Sequence, residues 1–310
     1  MENPIVSTSA YKIVSADKAA GALSHAYLVV CADESMLESY LTELSKLIVK
    51  SGDGLADAKV FNRIEKKVHP DVVFYPKDKK LSVADADDIV AQSVVKPMEL
   101  NLRVFVAVKF EELNQYQNKL LKTLEEPPKN VIILMGAVNE SAVLATVKSR
   151  SKILNIPPFS DNALKNSLKT ECRDEKKLDI AIALSDGRLG EALRYYNAED
   201  TEDLFNYCLS VMEDMNKAKD VLTFADKMRS FAVRDVIAAL KVICGGALSG
   251  KDDRYKKLRE AFRPAVFIGI TEKLNKSEKA MNFNANATML IDGILFAVME
   301  EKAEWQRLSV

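Results

Sequence analysis

The sequence contains few residues that could bind a metal or form disulfide bonds. Its four cysteines, Cys31, Cys172, Cys208 and Cys244, include no Cys-x-x-Cys pair, and histidine occurs only twice. Residues at these spacings do not match the ligand patterns of structural zinc sites. We therefore expect four free cysteines with a structural role, which suits a reducing cytoplasm.

An excess of one charge and long apolar runs are also missing. The chain has 44 basic and 45 acidic residues, for a net charge of -1. This balance gives no general case for binding nucleic acid or a membrane, although a local basic patch stays open. No apolar run approaches the roughly 20 residues of a membrane-spanning helix, and residues 1–10 lack the pattern of a signal peptide. We expect a cytoplasmic protein without a membrane partner.

Short apolar runs alternate with helical patterns in the first half of the chain. The runs are Tyr27–Cys31, Val72–Tyr75, Val104–Val108, Val131–Met135 and Ile153–Ile156. Strands this apolar are buried on both faces, as in a parallel sheet that helices cover on each side. The alternation predicts an α/β domain of three layers.

The strand pattern stops after Pro157-Pro158. Residues 161–195 predict short helices, and residues 204–301 predict long amphipathic ones, including one over Lys256–Lys273. We predict three domains: an α/β domain at 1–158, a small helical lid at 159–200 and a helical bundle at 201–310.

One segment of the first domain is especially informative. Leu113, Tyr116, Leu120 and Leu124 recur at helical spacing, so the segment is predicted to be a helix that a proline pair ends. It carries a phrase made of Asn118, Leu121, Lys122, Glu125, Glu126, Pro127 and Pro128. We interpret this phrase as a helix end and an interface surface; a solvated helix terminus is the alternative.

Together with shorter motifs, this phrase resembles the bacterial clamp-loader subunits of the AAA+ class, most closely the delta-prime type of DNA polymerase III. The shorter motifs are His25-Ala26-Tyr27-Leu28, His69-Pro70-Asp71, Ser149-Arg150-Ser151 and the stretch Gly187–Leu193. The resemblance covers roughly residues 23–31 and 69–195. It implies a RecA-like AAA+ domain with a parallel sheet, followed by a helical lid and a helical collar.

The chain departs from active ATPases in the loop after the first predicted strand. An ATP-binding loop needs Gly-x-x-x-x-Gly-Lys-Ser/Thr, whose backbone N–H groups and lysine hold the phosphates. Residues 31–38 contain neither glycine nor lysine, and Asp33, Glu34 and Glu38 would repel a phosphate. We predict that the chain binds no ATP.

Two further parts of the family pattern are missing. The third predicted strand leads into Lys109, where ATPases carry the acids that hold magnesium, and Glu111 and Glu112 follow too late. Residues 51–68 contain no cysteine, although the family's zinc site would require four there. We therefore predict no hydrolysis by the chain alone, and no bound zinc.

Arg150 is the candidate functional residue, with Ser149 beside it. A guanidinium is always charged and presents a planar set of donors, which suits a phosphate that gains charge in a transition state. Since the chain has no ATP site of its own, Arg150 would act in trans on the ATP of a neighbour. An ordinary surface arginine paired with a carboxylate is one alternative. A phosphate-contact patch with Lys148 and Lys152 is another.

The resemblance implies a catalytically inert subunit of a heteropentameric clamp loader. Its partners would be ATPase subunits of the gamma or tau type and a delta subunit. Through the complex it would act on the sliding clamp and primer–template DNA. Three alternatives stay open: the delta subunit itself, an active AAA+ ATPase with a degenerate phosphate-binding loop, and a scaffold unrelated to replication.

Overall fold

The computed structural model describes residues 3–250, 252–281 and 285–308. These residues form two compact units. The first contains the residues up to Glu171 together with Gly187–Glu191, and the second contains Cys172–Asp186 and the residues from Ala192 onward. The division into domains at 1–158, 159–200 and 201–310 stays a prediction. Part of the predicted lid belongs to the first unit and the rest belongs to the second.

The first unit is built on a five-stranded parallel sheet in the order β2-β3-β4-β1-β5. Its strands are β1 (Ala26–Cys31), β2 (Val72–Tyr75), β3 (Arg103–Ala107), β4 (Val131–Ala137) and β5 (Lys152–Ile156). Each strand coincides with one of the apolar runs, apart from small shifts at its ends. All residues of β3 and β4 are buried, because helices cover both faces of the sheet. The predicted three-layer α/β fold is confirmed.

Helices form the outer layers of this unit. They are α1 (Ser9–Ala19), α2 (Leu37–Val49), α3 (Gly54–Glu65), α4 (Val83–Ser93), α5 (Leu121–Glu125), α6 (Ala145–Lys148) and α7 (Asp161–Leu168), with 3-10 turns at Pro4–Ser7, Phe110–Leu120 and Glu140–Ala142. α2 packs on one face of the sheet, so close to Gly136 of β4 that an added Cβ would lie 2.6 Å from Leu41 Cδ1. On the other face, α4, the Phe110–Leu120 turn, α5 and α6 bury Ile89, Leu124 and Val147.

The segment predicted as one helix over residues 113–124 differs from the prediction. It is a 3-10 helix as far as Leu120, interrupted at Asn114 by a φ of 49°, and only then becomes α5. Tyr116, expected on the buried face, is 44% exposed. Gln117 is buried instead, and its amide donates to Ala142 O and accepts from Leu144 N. The tighter winding of a 3-10 helix brings this polar neighbour to the inner face.

The second unit is helical. Its elements are α8 (Glu175–Leu184), the part of α9 (Leu189–Asn197) from Ala192 onward, α10 (Thr201–Asp214), α11 (Ala218–Met228), α12 (Val233–Ser249), a 3-10 turn at Asp253–Tyr255, α13 (Lys256–Ala261), α14 (Pro264–Met281) and α15 (Ala287–Leu308). α12 lies at the centre and packs on α8, α10, α14 and α15. Cys208, Leu240, Ile243 and Phe267 contribute to the core around it.

The helix predicted over Lys256–Lys273 is wrong as a single element. α13 ends at Ala261, Phe262 is extended, and Pro264 begins α14. Proline lacks the N–H that a helix interior needs but fits the first helical position, where that N–H has no intrahelical acceptor.

None of the four cysteines forms a disulfide bond, as predicted, and all four are buried. Burial raises the pKa of the Cys31 thiol to about 11 and that of Cys208 to about 12, so both are neutral thiols at ordinary pH. Within the described residues, no helix has both the length and the apolar character to cross a membrane.

Candidate functional site

Ser149, Arg150 and Ser151 lie in the turn between α6 and β5, the strand at one edge of the sheet. The backbone N–H of Arg150 donates to Val147 O at 3.1 Å and so continues the last turn of α6. The Arg150 side chain is 34% exposed. The turn therefore has the edge position that its place after a short helix and before a strand predicts.

The Arg150 guanidinium contacts the other motif of this unit. Its Nη2 lies 2.7 Å from Oε1 of Glu125, the last residue of α5. Its Nη1 donates to Thr146 O at 3.0 Å and to Ser149 Oγ at 3.1 Å. An ion pair of Arg150 with a carboxylate was one of the alternatives that the sequence left open. The identity of that carboxylate, Glu125, could not be read from the sequence.

The two lysines near Arg150 have carboxylate partners of their own. Lys152 Nζ lies 2.7 Å from both carboxylate oxygens of Asp17 in α1. Lys148 Nζ lies 3.7 Å from Glu140 Oε1. These pairs neutralise charge that a shared phosphate-contact patch would need.

The remaining residues of the Glu-Glu-Pro-Pro phrase form a surface. The exposed members are Asn118, Lys122, Glu125, Glu126 and Pro127, and the half-buried members are Leu121 and Pro128. Between them, Thr123 and Leu124 are buried and anchor α5 to the unit. The phrase therefore presents polar and proline side chains outward from a fixed backbone.

The loop after β1 is filled by its own side chains. Asp33 is 4% exposed and accepts hydrogen bonds from Ser35 Oγ at 3.0 Å and from the backbone N–H of Gly190 at 2.9 Å. A Cβ added to Gly190 would lie 1.7 Å from Ser35 Oγ. The loop after β1 thus holds a buried carboxylate against a closely packed backbone.

The end of β3 has a lysine in place of an acid. Lys109 adopts a left-handed conformation with a φ of 54°, and its Nζ forms an ion pair with Glu34. The two glutamates that follow accept hydrogen bonds from backbone N–H groups of the same unit. Glu111 Oε1 accepts from Val138 N at 2.8 Å, and Glu112 Oε2 accepts from Leu81 N at 3.2 Å.

The His69-Pro70-Asp71 motif fixes a loop. Asp71 is fully buried and accepts from the backbone N–H groups of residues 98, 99 and 100 at 2.7 to 2.9 Å. Burial raises the pKa of Asp71, but these three bonds together with the nearby His69 lower it by more, so it lies below its ordinary value. His69 Nδ1 accepts from Asp71 N at 3.1 Å. The structural role of this motif was not evident from the sequence.

The segment that would carry a zinc site is organised by one carboxylate. Asp57 in α3 accepts from Ser51 N at 2.7 Å, Ser51 Oγ at 2.8 Å and Gly52 N at 2.9 Å. Throughout the described ranges, no group of three or more His, Cys, Asp and Glu side chains could hold a metal ion. That the protein binds neither zinc nor ATP stays a prediction.

Comparison with known proteins identifies the family. The family model described as DNA polymerase III, delta subunit matches residues 6–160, half of the 310-residue chain. The chain belongs to the DNA polymerase III delta-subunit family. This family is part of the clamp-loader complex of DNA replication, so the predicted membership of the clamp-loader AAA+ family is confirmed.

A relative and two solved structures are also similar. DNA polymerase III subunit gamma of Buchnera aphidicola is 23% identical over 141 residues, and the match spans 43% of this chain and 39% of that protein. A gamma subunit-related protein from Thermotoga maritima has 16% identity and a TM-score of 0.46, covering 95% of this chain and 100% of its own. A RuvB mutant from the same organism has 14% identity and a TM-score of 0.42, covering 79% of this chain and 74% of its own.

Proposed function

We propose that this chain is a delta-prime-type subunit of the DNA polymerase III clamp loader, which hydrolyses no ATP itself and supplies Arg150 to the ATP of a neighbouring subunit. The observation that carries the proposal is the exposed Ser149-Arg150 turn at the sheet edge, in a unit whose own phosphate-binding loop is filled by Asp33. If Arg150 contacts a phosphate, that phosphate must therefore be bound by another subunit.

The absence of catalysis in cis is supported by the charges around the loop. Asp33 and Glu34 are negative where an ATPase has phosphate-binding N–H groups and a lysine. Lys109 is positive where an ATPase has acids that hold magnesium. Lys109 and Glu34 neutralise each other in an ion pair. Lys109 therefore needs no phosphate, and Glu34 needs no magnesium, to balance its charge.

The role of Arg150 is supported by its partial exposure and by the kind of contact that holds it. An ion pair at the surface is worth about 0–1 kcal/mol, so Glu125 does not prevent the guanidinium from binding a phosphate. An arginine supplied in trans raises phosphoryl transfer by roughly 10³–10⁵ in favourable systems. Ser149 Oγ accepts from Nη1 and orients the guanidinium in the same turn.

In this proposal the chain sits in a heteropentameric ring in the cytoplasm. Its neighbours are gamma- or tau-type ATPase subunits and a delta subunit, and the helical region 201–310 forms its part of the collar. The ring opens the sliding clamp and places it on primer–template DNA. No ATP or zinc binds to this chain, and no membrane takes part.

The test is to reconstitute the clamp loader with Arg150→Ala and to measure its clamp- and DNA-stimulated ATPase and its clamp loading. We expect normal assembly, a partial fall in total ATPase, and a larger fall in loading, because loading requires the sites to act together. Arg150→Lys should restore little, since an ammonium lacks the planar set of donors.

Arg63→Ala is the matched control, because Arg63 is also a partly exposed arginine of the first unit, paired with Glu99. It should leave both activities unchanged. Wild-type ATPase and loading with Arg150→Ala would reduce Arg150 to an ordinary surface ion pair.

A delta subunit is the second candidate, favoured by the description of the matching family. A delta-type chain would bind the sliding clamp strongly by itself. Titration of the isolated chain with clamp therefore separates the two: we expect weak or no binding for the delta-prime type. An active AAA+ ATPase is the third candidate, and nucleotide turnover by the isolated chain would support it.

A further inference from the structure

The ion pair between Arg150 and Glu125 joins the two sequence motifs of the first unit. Glu125 belongs to the Glu-Glu-Pro-Pro phrase and ends α5, whereas Arg150 follows α6. The residues are 25 positions apart in the chain, and Nη2 and Oε1 are 2.7 Å apart in space. α5 and α6 pack directly on each other, so the distance between the two backbones is fixed by the core.

The backbone next to each partner is anchored by a buried side chain of its own helix. Leu124, next to Glu125, and Val147, whose carbonyl accepts from Arg150 N, are both buried in the same core. The chain after Glu125 cannot continue the helix, because Pro127 and Pro128 have no N–H to donate. Glu125 therefore projects from a stable helix end rather than from a mobile loop.

The contacts leave part of the guanidinium available. An arginine has five N–H donors. In this protein Nη1 donates hydrogen bonds to Thr146 O and Ser149 Oγ, and Nη2 forms an ion pair with Glu125. The hydrogen bonds to described residues involve Nη1 alone, so the donors of Nε and Nη2 are available to a further acceptor. Three anchors on a planar group define the direction in which the remaining donors point.

From this geometry we propose that Glu125 is a positioning residue for Arg150, which holds the guanidinium so that its remaining donors face the phosphate of the neighbouring subunit. The inference rests on the function proposed above. An arginine side chain loses substantial rotamer freedom when it binds. Holding it in advance reduces this entropic cost at the moment when the phosphate is contacted.

The adjacent glutamate provides a matched control. Glu126 is exposed and differs from Glu125 by one position, and it forms no ion pair with any described residue. Glu125→Gln removes the charge of the positioning carboxylate with almost no change in shape. Glu126→Gln removes the same charge from the same surface without touching Arg150.

The experiment measures the steady-state ATPase of reconstituted clamp loader containing each variant, relative to wild type and Arg150→Ala. The Arg150-dependent activity is the difference between these two. We expect Glu125→Gln to lower it up to about fivefold, the equivalent of a surface ion pair, with kcat reduced and KM unchanged. The activity of Glu125→Asp, which keeps the charge but shortens the side chain, should lie between those of wild type and Glu125→Gln. Glu126→Gln should lower the Arg150-dependent activity less than Glu125→Gln does, because it leaves the contact with Arg150 intact.

A double variant separates positioning from a general effect on the interface. If Glu125 acts only through Arg150, Glu125→Gln combined with Arg150→Ala should equal Arg150→Ala alone. Unchanged or increased activity in Glu125→Gln, or equal losses in the two glutamine variants, would overturn the positioning role while leaving the role of Arg150 intact. A complex that is insensitive to Arg150→Ala would overturn the proposed function and this inference with it.

Discussion

Glu34 and Lys109 form an ion pair that joins the loop after β1 to the end of β3. β4 lies between these strands in the sheet, so the pair spans the edge at which parallel α/β sheets bind their ligands. In a phosphate-binding ATPase the loop carries the lysine and the third strand carries the acid. Under the proposed function, these charges have the opposite arrangement in this chain.

The first prediction is that the isolated chain gives no binding heat with Mg-ATP in isothermal titration. The loop has negative side chains and no glycine between residues 31 and 38, so it offers neither charge nor backbone N–H groups to a phosphate. The exchange variant Glu34→Lys with Lys109→Glu keeps the pair and corrects its sign, yet it should also fail to bind, because the backbone still cannot surround the phosphates. Micromolar affinity in the wild-type chain would contradict the proposal.

The sheet was predictable because its strands are buried on both faces. Runs such as Val131–Met135 contain only apolar residues. Few environments other than a parallel sheet covered on both faces can bury every side chain of such a run. Helix winding was less predictable. The spacing of Leu113, Leu120 and Leu124 is compatible with an α-helix, but a 3-10 helix buries Gln117 in place of Tyr116.

The candidate site was predictable only in part. Arg150 and the Glu-Glu-Pro-Pro phrase are visible as motifs, and the order of helix, turn and strand gives the edge position. Their mutual contact depends on how α5 packs on α6, which no local pattern encodes. The same holds for Asp33, whose acceptance of the Gly190 N–H joins residues 157 positions apart.

The second prediction concerns where the chain can be cut. Residues 172–200 include α8 and α9, which contribute Ile180, Leu184 and Tyr195 to the core of the second unit. A fragment of residues 1–171 keeps the first unit except Gly187–Glu191 and should therefore still unfold cooperatively in urea. A fragment of residues 1–200 should expose these side chains and bind an apolar dye. Neither should join the clamp loader, since the proposed collar is missing. A folded, dye-free 1–200 fragment beside an unfolded 1–171 fragment would contradict the observed units.

The third prediction compares two neighbouring glycines in α12. A Cβ added at Gly245 would have no atom within 4 Å, whereas one added at Gly246 would lie 2.1 Å from the Tyr255 ring. Gly245→Ala should stabilise the protein by up to about 1 kcal/mol through helix propensity. Gly246→Ala should destabilise it by about 1–3 kcal/mol, because the buried ring must move. Urea denaturation of both variants is the measurement, and equal effects would place Tyr255 elsewhere.

Lys302 is a buried lysine in α15 that supports the end of α10. It is 1% exposed, and its Nζ donates to Met212 O at 2.8 Å and Met215 O at 2.6 Å. These carbonyls belong to the last turn of α10 and to Met215, the residue that follows it, where backbone acceptors lack helical partners. The centroid of the Phe262 ring lies 5.0 Å from the same nitrogen. Burial lowers the pKa of Lys302 to about 8, against an ordinary value of 10.5.

The fourth prediction is that stability rises with pH through this group. Below pH 8 the lysine is charged in both the folded and unfolded states, so the cost of burying the charge is constant. Between pH 8 and 10.5 the unfolded state binds more protons than the folded state, so the free energy of unfolding increases, by about 3 kcal/mol over the full interval. The measurement is the urea midpoint of wild type and Lys302→Met from pH 7 to 10. The stability of the wild type relative to the variant should increase only above pH 8. The exposed Lys276→Met control should follow the wild type, and parallel curves for wild type and Lys302→Met would show that Lys302 keeps an ordinary pKa.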